Sequence, residues 1–304
     1  MSKAFDVLVV GDYCLDLIFT GLPRFPELGF EVVGTGFAMT PGGAYNSVAA
    51  LHRLGLNVGW AADFGDDDFS RFILDRAAQE GLDDSLFVRH KRPLRFITVA
   101  ASYPQDRAFI AYYDPGPTIP AAMKALAKAS TRVVYVPGLY TGPLLDAGLR
   151  LVRARGTKLV MDGNSAEEAQ TLQDASVRRV LKSLDIFMPS ALEARKLTGE
   201  GSVEGALRAL AEHCPLVVIK DGAGGAYACA AGAVLHSPAI EVTPLDTTGA
   251  GDCFNAGFLK AWLDGRPLGE CLRWGNIVGG LSTQGMGGTG RVVTVEEVEG
   301  WLGG

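Results

Sequence analysis

The sequence predicts an α/β fold in which a mostly parallel sheet carries helices on both faces. Short apolar segments bounded by Gly, Pro or Asp alternate with helix-like segments along the 304 residues. The apolar segments are continuously hydrophobic rather than alternating, which is typical of parallel strands covered on both faces. Strand–helix–strand order from about residue 130 to 222 predicts βαβ units, whose crossovers place helices against the sheet.

The strands and helices follow from these patterns in chain order. Buried strands are predicted where a short apolar run ends in a turn residue, at 5–11, 58–65, 133–138, 158–163, 185–190 and 216–222. Helices are predicted at 44–54, 68–80, 144–155 and 203–212. Glycine at 55, 81 and 156 follows the first three helices, because glycine readily adopts the left-handed conformation that ends a helix.

Two segments, 12–40 and 94–113, contain no predicted helix. The second reads as two strands around a turn at 104–106. We predict that both segments form a small antiparallel β lid on a single domain. A flap of this size cannot bury both faces, so we expect it to cover a ligand or to pair with a second chain in a homodimer. The predicted core of the domain is then about 1–11, 41–93 and 114–304.

Composition excludes several classes of protein. The chain has 28 Lys and Arg against 34 Asp and Glu, a net charge of −6, which gives no attraction to nucleic acid or to an anionic membrane. Its five cysteines form no C-x-x-C pair and its four histidines are far apart, so neither a disulfide framework nor a zinc site is expected. Because no apolar run approaches the ~20 residues that span a bilayer, we expect a cytoplasmic protein.

The most informative segment is 246–257, DTTGAGDCFNAG. Apolar residues recur at helical spacing over 250–263, which places residues 249–251 at the start of a largely buried helix. A helix cap at Thr248 and a dipole partner at Asp252 would be ordinary, but they do not account for two glycines that each weaken a helix by up to ~1 kcal/mol. Backbone amides without side chains suit a phosphate group, and Asp252 beside them is placed to accept a proton.

This segment resembles the C-terminal signature of the ribokinase-like (PfkB) carbohydrate kinases, D-T-x-G-A-G-D. Far upstream, residues 41–55 (PGGAYNSVAALHRLG) resemble the N-terminal signature of the same family. The two motifs stand in the family's order, and the resemblance covers essentially the whole chain. It implies a ribokinase-like fold and an ATP-dependent kinase that phosphorylates a primary hydroxyl of a small sugar or polyol, using ATP and Mg²⁺.

The resemblance also implies roles for individual residues. Asp252 matches the catalytic base, and the anion hole that receives the charge of the transferring phosphoryl group is matched by Gly249, Ala250 and Gly251. The positions that contact sugar hydroxyls are matched by Asp16, Gly42, Gly43 and Asn46. The positions around the nucleotide are matched by Ser190, Lys220, Gly222, Gly225 and Asn276.

Two further matches concern metal ions. Glu193 lies in a segment that resembles the family's N-x-x-E motif, which orders Mg²⁺ through water, although Ser190 stands where the family has Asn. Asp246 and Thr248 match residues that hold K⁺ in part of the family, and oxygen ligands suit such a cation. No G-x-x-x-x-G-K-[ST] segment occurs, so a P-loop nucleotide site is excluded.

The sequence leaves several substrates open. Members that phosphorylate ribose tend to carry Asn and Lys where this chain has Cys14 and Ala44, so strict ribokinase activity is not expected. A sugar-phosphate substrate would require basic side chains near the lid, for which the candidates are Lys91, Arg92, Arg95 and Arg107. A nucleoside would require aromatic stacking, and the candidate aromatic residues are Tyr13, Phe37, Tyr45, Tyr112 and Tyr113. A non-catalytic ligand-binding member of the fold is the remaining alternative, and the intact segment 249–252 argues against it.

Overall fold

The computed structural model describes residues 4–103, 107–117, 120–164 and 170–303. The strands within these ranges are β1 (Ala4–Val10), β2 (Tyr13–Thr20), β3 (Gly36–Gly43), β4 (Val58–Ala61), β5 (Asp63–Phe64), β6 (Val88–Arg89), β7 (Phe96–Ser102), β8 (Arg107–Tyr113), β9 (Ser130–Val136), β10 (Lys158–Asp162), β11 (Ile186–Met188), β12 (Leu216–Lys220), β13 (Ala226–Ala230) and β14 (Ala233–Ser237). The helices are α1 (Ala44–Arg53), α2 (Asp68–Gln79), α3 (Ala121–Lys128), α4 (Pro143–Ala154), α5 (Ala175–Leu181), α6 (Ala191–Thr198), α7 (Val203–Ala211), α8 (Ala250–Leu263), α9 (Leu268–Ser282) and α10 (Val295–Gly303).

The main sheet has eight strands in the order β14-β13-β12-β11-β10-β9-β1-β4. All pairs from β12 to β4 are parallel, and the β12–β13 and β13–β14 pairs are antiparallel. This confirms the predicted α/β fold with a mostly parallel sheet. Segment 58–65 is not one strand, however, because β4 belongs to the main sheet whereas β5 pairs with β6 in a separate two-stranded sheet.

Helices cover both faces of the main sheet, as continuous hydrophobicity of the strands predicts. Alternate residues of β1 show the two layers, since Val7 and Val9 pack into one core and Leu8 into the other. The first core is completed by side chains of α1, α2, α8, α9 and α10, and the second by side chains of α3 to α7. The predicted glycine helix ends are confirmed, because Gly55, Gly81 and Gly156 have φ of 79°, 73° and 68°.

The predicted lid is a second, four-stranded sheet in the order β3-β2-β7-β8. Its outer pairs are antiparallel, while the central β2–β7 pair is parallel. Strand β3 continues to Gly43, so the expected boundary at residue 40 falls three residues short and the glycines of the N-terminal motif lie on a lid strand. The turn predicted at 104–106 lies outside the described residues.

A buried polar cluster holds the root of the lid against the core. The Asp67 carboxylate accepts hydrogen bonds from the Ser70 amide at 2.9 Å, which caps α2, and from the Leu94 amide at 2.9 Å, two residues before β7. The Tyr13 hydroxyl, on β2, contacts the Ser70 hydroxyl at 2.8 Å and the Leu94 carbonyl. Both lid segments therefore meet one helix start.

We expect Asp67→Ala to lower the free energy of unfolding by about 2 kcal/mol, because it removes a helix cap and leaves the buried Leu94 amide unpaired. Urea denaturation measures the loss, and hydrogen exchange at Leu94 localises it. The matched control is Asp68→Ala, which removes an exposed first-turn carboxylate and should change stability by no more than about 0.5 kcal/mol. Equal unfolding midpoints for the two variants would contradict this account of the lid root.

Candidate active site

The segment 246–251 forms a turn that leads directly into α8, as predicted. Gly249 is the residue before the helix, with φ 70°, and a Cβ at this position would lie 2.4 Å from the Gly288 Cα. Glycine is therefore required both by the backbone conformation and by the close approach of the neighbouring loop. Thr248 does not cap the helix, because Gly249 occupies the N-cap position and there is no side-chain cap; the Thr248 amide and hydroxyl donate to the Asp246 carboxylate, at 2.9 and 2.7 Å.

Asp252 lies in the first turn of α8 and faces α1. Its Oδ1 accepts a hydrogen bond from the Ser47 hydroxyl at 2.8 Å, and its Oδ2 lies 3.5 Å from the Asn46 amide nitrogen. Burial and the nearby Asp162 carboxylate raise the pKa of Asp252 to about 6, although the Ser47 hydrogen bond and the Lys220 charge act to lower it. The predicted base is thus a buried carboxylate that is mostly ionised at neutral pH.

A buried ion pair lies next to Asp252 at the carboxyl ends of β10 and β12. The Lys220 ammonium is 2.8 Å from Asp162 Oδ2, and both side chains are almost fully buried. The same carboxylate accepts from the Asn255 amide at 2.5 Å and from the Gly163 backbone amide at 2.6 Å. Lys220 also lies 3.4 Å from where a Gly251 Cβ would be, so its positive charge reaches the start of α8.

A cavity of about 580 Å³ opens at these strand ends and is wide enough for a nucleotide. It brings together the predicted nucleotide residues and the start of α8, and its lining includes Ser190, Glu193, Lys220, Gly222, Gly225, Gly249, Ala250, Gly251, Asp252 and Asn276. The Asn276 amide donates to the backbone carbonyls of Ser237 and Pro238, at 3.0 and 2.9 Å. This residue therefore shapes the cavity wall by fixing the end of β14.

Ser190 and Glu193 form a reciprocal cap at the start of α6. The Ser190 amide donates to Glu193 Oε2 at 2.7 Å, and the Glu193 amide donates to the Ser190 hydroxyl at 3.3 Å. Burial and the neighbouring Asp162 raise the pKa of Glu193. Ser190, which stands where the family has asparagine, thus caps α6 and fixes the Glu193 carboxylate at the edge of the cavity.

The side chains around the cavity fit a Mg²⁺ ion bound through water, but not one bound by protein ligands alone. Among the described residues, no group of three or more His, Cys, Asp or Glu side chains is arranged to hold a metal directly. Mg²⁺ at nucleotide sites is usually held by one or two carboxylates, waters and substrate phosphates, which a single carboxylate on the cavity wall satisfies. Glu193 is therefore the residue that would hold this ion through water.

The residues predicted for K⁺ hold two loops together. Asp246 Oδ1 accepts from both donors of Thr248, and Asp246 Oδ2 accepts from the Gly287 amide at 2.8 Å. These hydrogen bonds connect the turn before α8 with the loop that contains Gly287. The K⁺ site stays a prediction, and no step of the chemistry is derived through it.

The predicted sugar-contacting residues converge where the lid joins α1. Asp16 on β2 packs against Gly42 on β3, where a Cβ would lie 2.2 Å from the Asp16 carboxylate. Burial and the Asp246 charge raise the pKa of Asp16 to about 6, although its contact with Cys14 acts to lower it. Gly43 begins α1 with φ 62°, and Asn46 follows it in the first turn of the helix.

Asn46 connects the sugar-contacting residues with the start of α8. Its amide nitrogen faces Asp252, and its side chain packs against Gly249 and Gly288, where an added Cβ would lie within 3.0 Å. Its buried carbonyl oxygen has no hydrogen-bond partner among the described residues. A buried acceptor without a donor is costly in a folded protein, so a ligand hydroxyl at this position would satisfy it.

The family model for the pfkB family carbohydrate kinases matches residues 4–294. The chain belongs to the PfkB family of carbohydrate kinases. Such kinases are phosphotransferases. The match over residues 4–294 confirms the resemblance that the two motifs indicated. None of the helices in the described ranges is long and apolar enough to cross a bilayer.

Relatives of this PfkB-family chain include enzymes with different sugar substrates. It is 26% identical over 300 residues to a ribokinase of Bacillus subtilis, covering 97% of this chain and 98% of the relative. It is also 26% identical over 322 residues to a 5-dehydro-2-deoxygluconokinase of Shouchella clausii, covering 98% and 95%. The structure of Arabidopsis thaliana ribokinase complexed with ribose and ATP superposes with a TM-score of 0.82 over 99% of both chains at 20% identity.

Three completely buried polar residues around the site have no role predicted from the sequence. Ser47 binds Asp252, Asn255 binds Asp162, and Tyr135 binds Asn255. Ser47 and Asn255 are polar residues at buried helix positions within the two motifs, and that pattern was the available signal. Tyr135 gives no such signal, because a tyrosine within an apolar strand is ordinary core material.

We expect Gly249→Ala to abolish most phosphotransfer, with a loss on the order of 100-fold, because its Cβ would push the Gly288 backbone away from the start of α8. The matched control is Gly265→Ala, at the end of α8, which has φ 77° and open space around the position. Both variants carry the left-handed penalty of about 1 kcal/mol, so only the first should lose activity. Similar activity of the two variants in a steady-state assay would show that the close contact with Gly288 is unimportant.

Proposed function

We propose that this protein is an ATP-dependent kinase that transfers the terminal phosphoryl group of ATP to a primary hydroxyl of a small sugar or polyol. The observation that carries the proposal is the position of Asp252. Its carboxylate lies at the start of α8, beside the cavity of about 580 Å³ on one side and, on the other, beside Asn46 in the first turn of α1 after lid strand β3. A hydroxyl held by Asn46 and a phosphate held in the cavity would therefore meet at this carboxylate.

Asp252 is proposed to act as the general base. With a pKa of about 6 it is mostly ionised at neutral pH, yet it is a stronger base than an exposed aspartate. It accepts the proton of the attacking hydroxyl as the oxygen–phosphorus bond forms and the bond to the ADP oxygen breaks.

The start of α8 and Lys220 are proposed to stabilise the charge on the transferring group. The first amides of a helix have no partner within it and point outward, which suits a phosphoryl oxygen. Gly249 and Gly251 carry no side chains that would keep such a group at a distance. Phosphoryl transfer depends mainly on positioning and charge stabilisation, so these donors and one base are a sufficient protein contribution.

ATP is proposed to occupy the cavity, with Asn276 and Gly225 on its walls. Glu193 would hold Mg²⁺ through water, and the ion would neutralise charge on the phosphates. The Asp162–Lys220 pair keeps the lysine charge directed to the phosphate end of the cavity. K⁺ binding by Asp246 and Thr248 stays a prediction, based on their match to residues that hold this ion in part of the family.

A small acceptor without a phosphate group is favoured over the alternatives. Of the basic candidates for binding a sugar phosphate, Arg95 is paired with Asp114 through two hydrogen bonds of 2.8 and 3.1 Å, and Arg92 donates to the Pro115 carbonyl at 2.8 Å. Of the aromatic candidates for stacking a nucleoside, Tyr13 and Tyr45 are buried in the core. Fewer basic side chains are therefore available to bind a sugar phosphate, and fewer aromatic side chains to stack on a nucleoside, than the sequence suggested.

Ribose itself is not the acceptor we favour, although one relative is named a ribokinase. Cys14 replaces a polar family residue and its thiol contacts the Thr98 hydroxyl at 3.0 Å. Ala44 is buried and offers no polar group. The sugar-facing side of the lid therefore lacks two polar contacts for a pentose, and an acceptor recognised through Asp16 and Asn46 is expected.

The test is a coupled ADP-release assay over free sugars, polyols, sugar acids, nucleosides and sugar phosphates. We expect turnover with an acceptor from the first three groups and a loss of about 10²–10⁴-fold in kcat for Asp252→Asn. ATP binding measured by calorimetry should persist in the variant. Because the base acts only when ionised, the wild-type rate should fall as the pH drops through about 6.

Stability provides the control for this variant. The folded protein raises the pKa of Asp252 from 3.8 to about 6, so the folded state holds the proton more tightly and its stability declines as the pH rises through this range. Asparagine removes the buried charge, so Asp252→Asn should unfold at no lower temperature at pH 7. Wild-type turnover by Asp252→Asn would contradict the base, and no turnover with any acceptor would favour the non-catalytic alternative.

The lid is also proposed to pair with the lid of a second chain. One face of its sheet leaves large apolar side chains exposed, namely Phe19, Phe37, Met39, Ile110 and Tyr112. A contiguous apolar face of this kind on a four-stranded sheet is typical of an interface. Both lid segments also frame Asp16, so substrate binding and lid contacts would be connected.

We expect light scattering to give twice the mass of one chain, with the apolar lid faces buried between the two copies. Added acceptor should protect residues 12–40 and 94–113 from hydrogen exchange, since the lid would close over the site and exclude water. The control region is α5, which lies outside the lid and should not change. Unchanged exchange in both segments with saturating acceptor would contradict the lid, and the mass of one chain would contradict the dimer alone.

A further inference from the structure

A row of completely buried polar side chains runs beneath Asp252 and connects four elements of the fold. Ser47 on α1 donates to Asp252 Oδ1 on α8 at 2.8 Å. The Asn255 amide on α8 donates to the Tyr135 oxygen at 2.9 Å and to Asp162 on β10 at 2.5 Å. Ser47, Tyr135 and Asn255 each have no exposed surface.

The hydrogen bond between Ser47 and Asp252 has one direction. An ionised carboxylate only accepts, so the single hydroxyl hydrogen of Ser47 is donated to Asp252. The Tyr135 oxygen accepts from the Asn255 amide, on the same helix as Asp252.

The two oxygens of Asp252 therefore have different surroundings. Oδ1 is held by the short hydrogen bond from Ser47, whereas Oδ2 has only the longer contact of 3.5 Å to Asn46. Asn46 presents its unpaired carbonyl oxygen in the same region. One oxygen is engaged by the protein, and the other is available on the side where the acceptor hydroxyl would lie.

We propose that Ser47 is the positioning residue of Asp252, which holds Oδ1 and leaves Oδ2 to take the proton from the acceptor hydroxyl. This inference rests on the proposed role of Asp252 as the base. Ser47 does not touch the reacting atoms, and its effect passes through the orientation and the basicity of the carboxylate.

The charged and titratable groups around Asp252 define the expected direction of the pH effect. Asp162 on β10 raises the pKa of Asp252 and Lys220 on β12 lowers it, while Tyr135 on β9 and Cys253 on α8 have raised pKa values and stay neutral. The Ser47 hydrogen bond stabilises the ionised carboxylate and so lowers the pKa of Asp252. Removing that hydrogen bond must therefore raise it.

The experiment compares the pH profile of kcat for Ser47→Ala with that of wild type, using ATP and the acceptor with the highest rate in the panel. We expect kcat to fall about tenfold with KM for the acceptor little changed, because the base is misdirected rather than the acceptor unbound. The acidic midpoint of the profile should move up by about one pH unit, since a charge-assisted hydrogen bond is lost. Ser47→Thr retains the hydroxyl and should restore both.

Two controls separate positioning from a general loss of stability. Ser282→Ala removes another buried serine hydroxyl, which donates to the Gly279 carbonyl within α9 at 2.8 Å, and should leave the acidic midpoint in place. Carboxyl ¹³C NMR measures the Asp252 titration in the protein without substrate, with the signal assigned by its loss in Asp252→Asn. The Ser47→Ala variant should show the same upward shift there as in kinetics.

If Ser47→Ala does not fold, Ser47→Cys decides the question by the same criteria, because it keeps a side chain at this position and replaces the hydroxyl with a weaker hydrogen-bond donor. An acidic midpoint equal to that of wild type, with kcat within about twofold, would overturn the proposal. An inactive Asp252→Asn together with a wild-type profile in Ser47→Ala would overturn the positioning role alone. Wild-type turnover by Asp252→Asn would overturn the base, and the positioning role with it.

Discussion

The close packing of α8 between α1 and α9 is the contact on which the active site depends. Glycines allow it, because a Cβ at Gly257 would lie 2.7 Å from Val278 and one at Gly279 would lie 3.0 Å from the Ala250 carbonyl. With α8 held at this depth, Asp252 reaches Ser47 on α1, and the start of the helix opens onto the cavity. Weakening this packing would alter the position of Asp252, the start of α8 and the cavity wall together.

Electrostatics makes the same region costly to fold. Asp162, Glu193 and Asp252 are buried near one another, with Lys220 as the cation paired to Asp162, and the pKa of both Glu193 and Asp252 is raised. Burying carboxylates together disfavours their charged forms, so the site is maintained at the expense of stability. Such crowding suits a site that receives a metal ion together with phosphates, because the cation would offset the negative charge of the carboxylates.

The sequence determined the fold class and the family, and with the family the class of reaction. Continuous apolar strands and helix-ending glycines predicted the parallel sheet, and the segment containing Asp252 predicted a helix start with unobstructed amides. These features are local, since they depend on the conformational freedom of glycine and on the periodicity of apolar residues. The lid was predicted on the same basis, from two segments without helical spacing, although its strand β3 extends to Gly43.

Only the tertiary structure decided which polar residues meet. Ser47 and Asp252 are 205 positions apart and Asn255 and Asp162 are 93 apart, and no local pattern connects them. It also decided that Thr248 binds Asp246 rather than capping α8, and that Arg95 is occupied by Asp114. The physical reason is that a side chain's type shows which bonds it can make, whereas its partner depends on the packing of distant elements, which brings α1, β9 and β10 around one carboxylate.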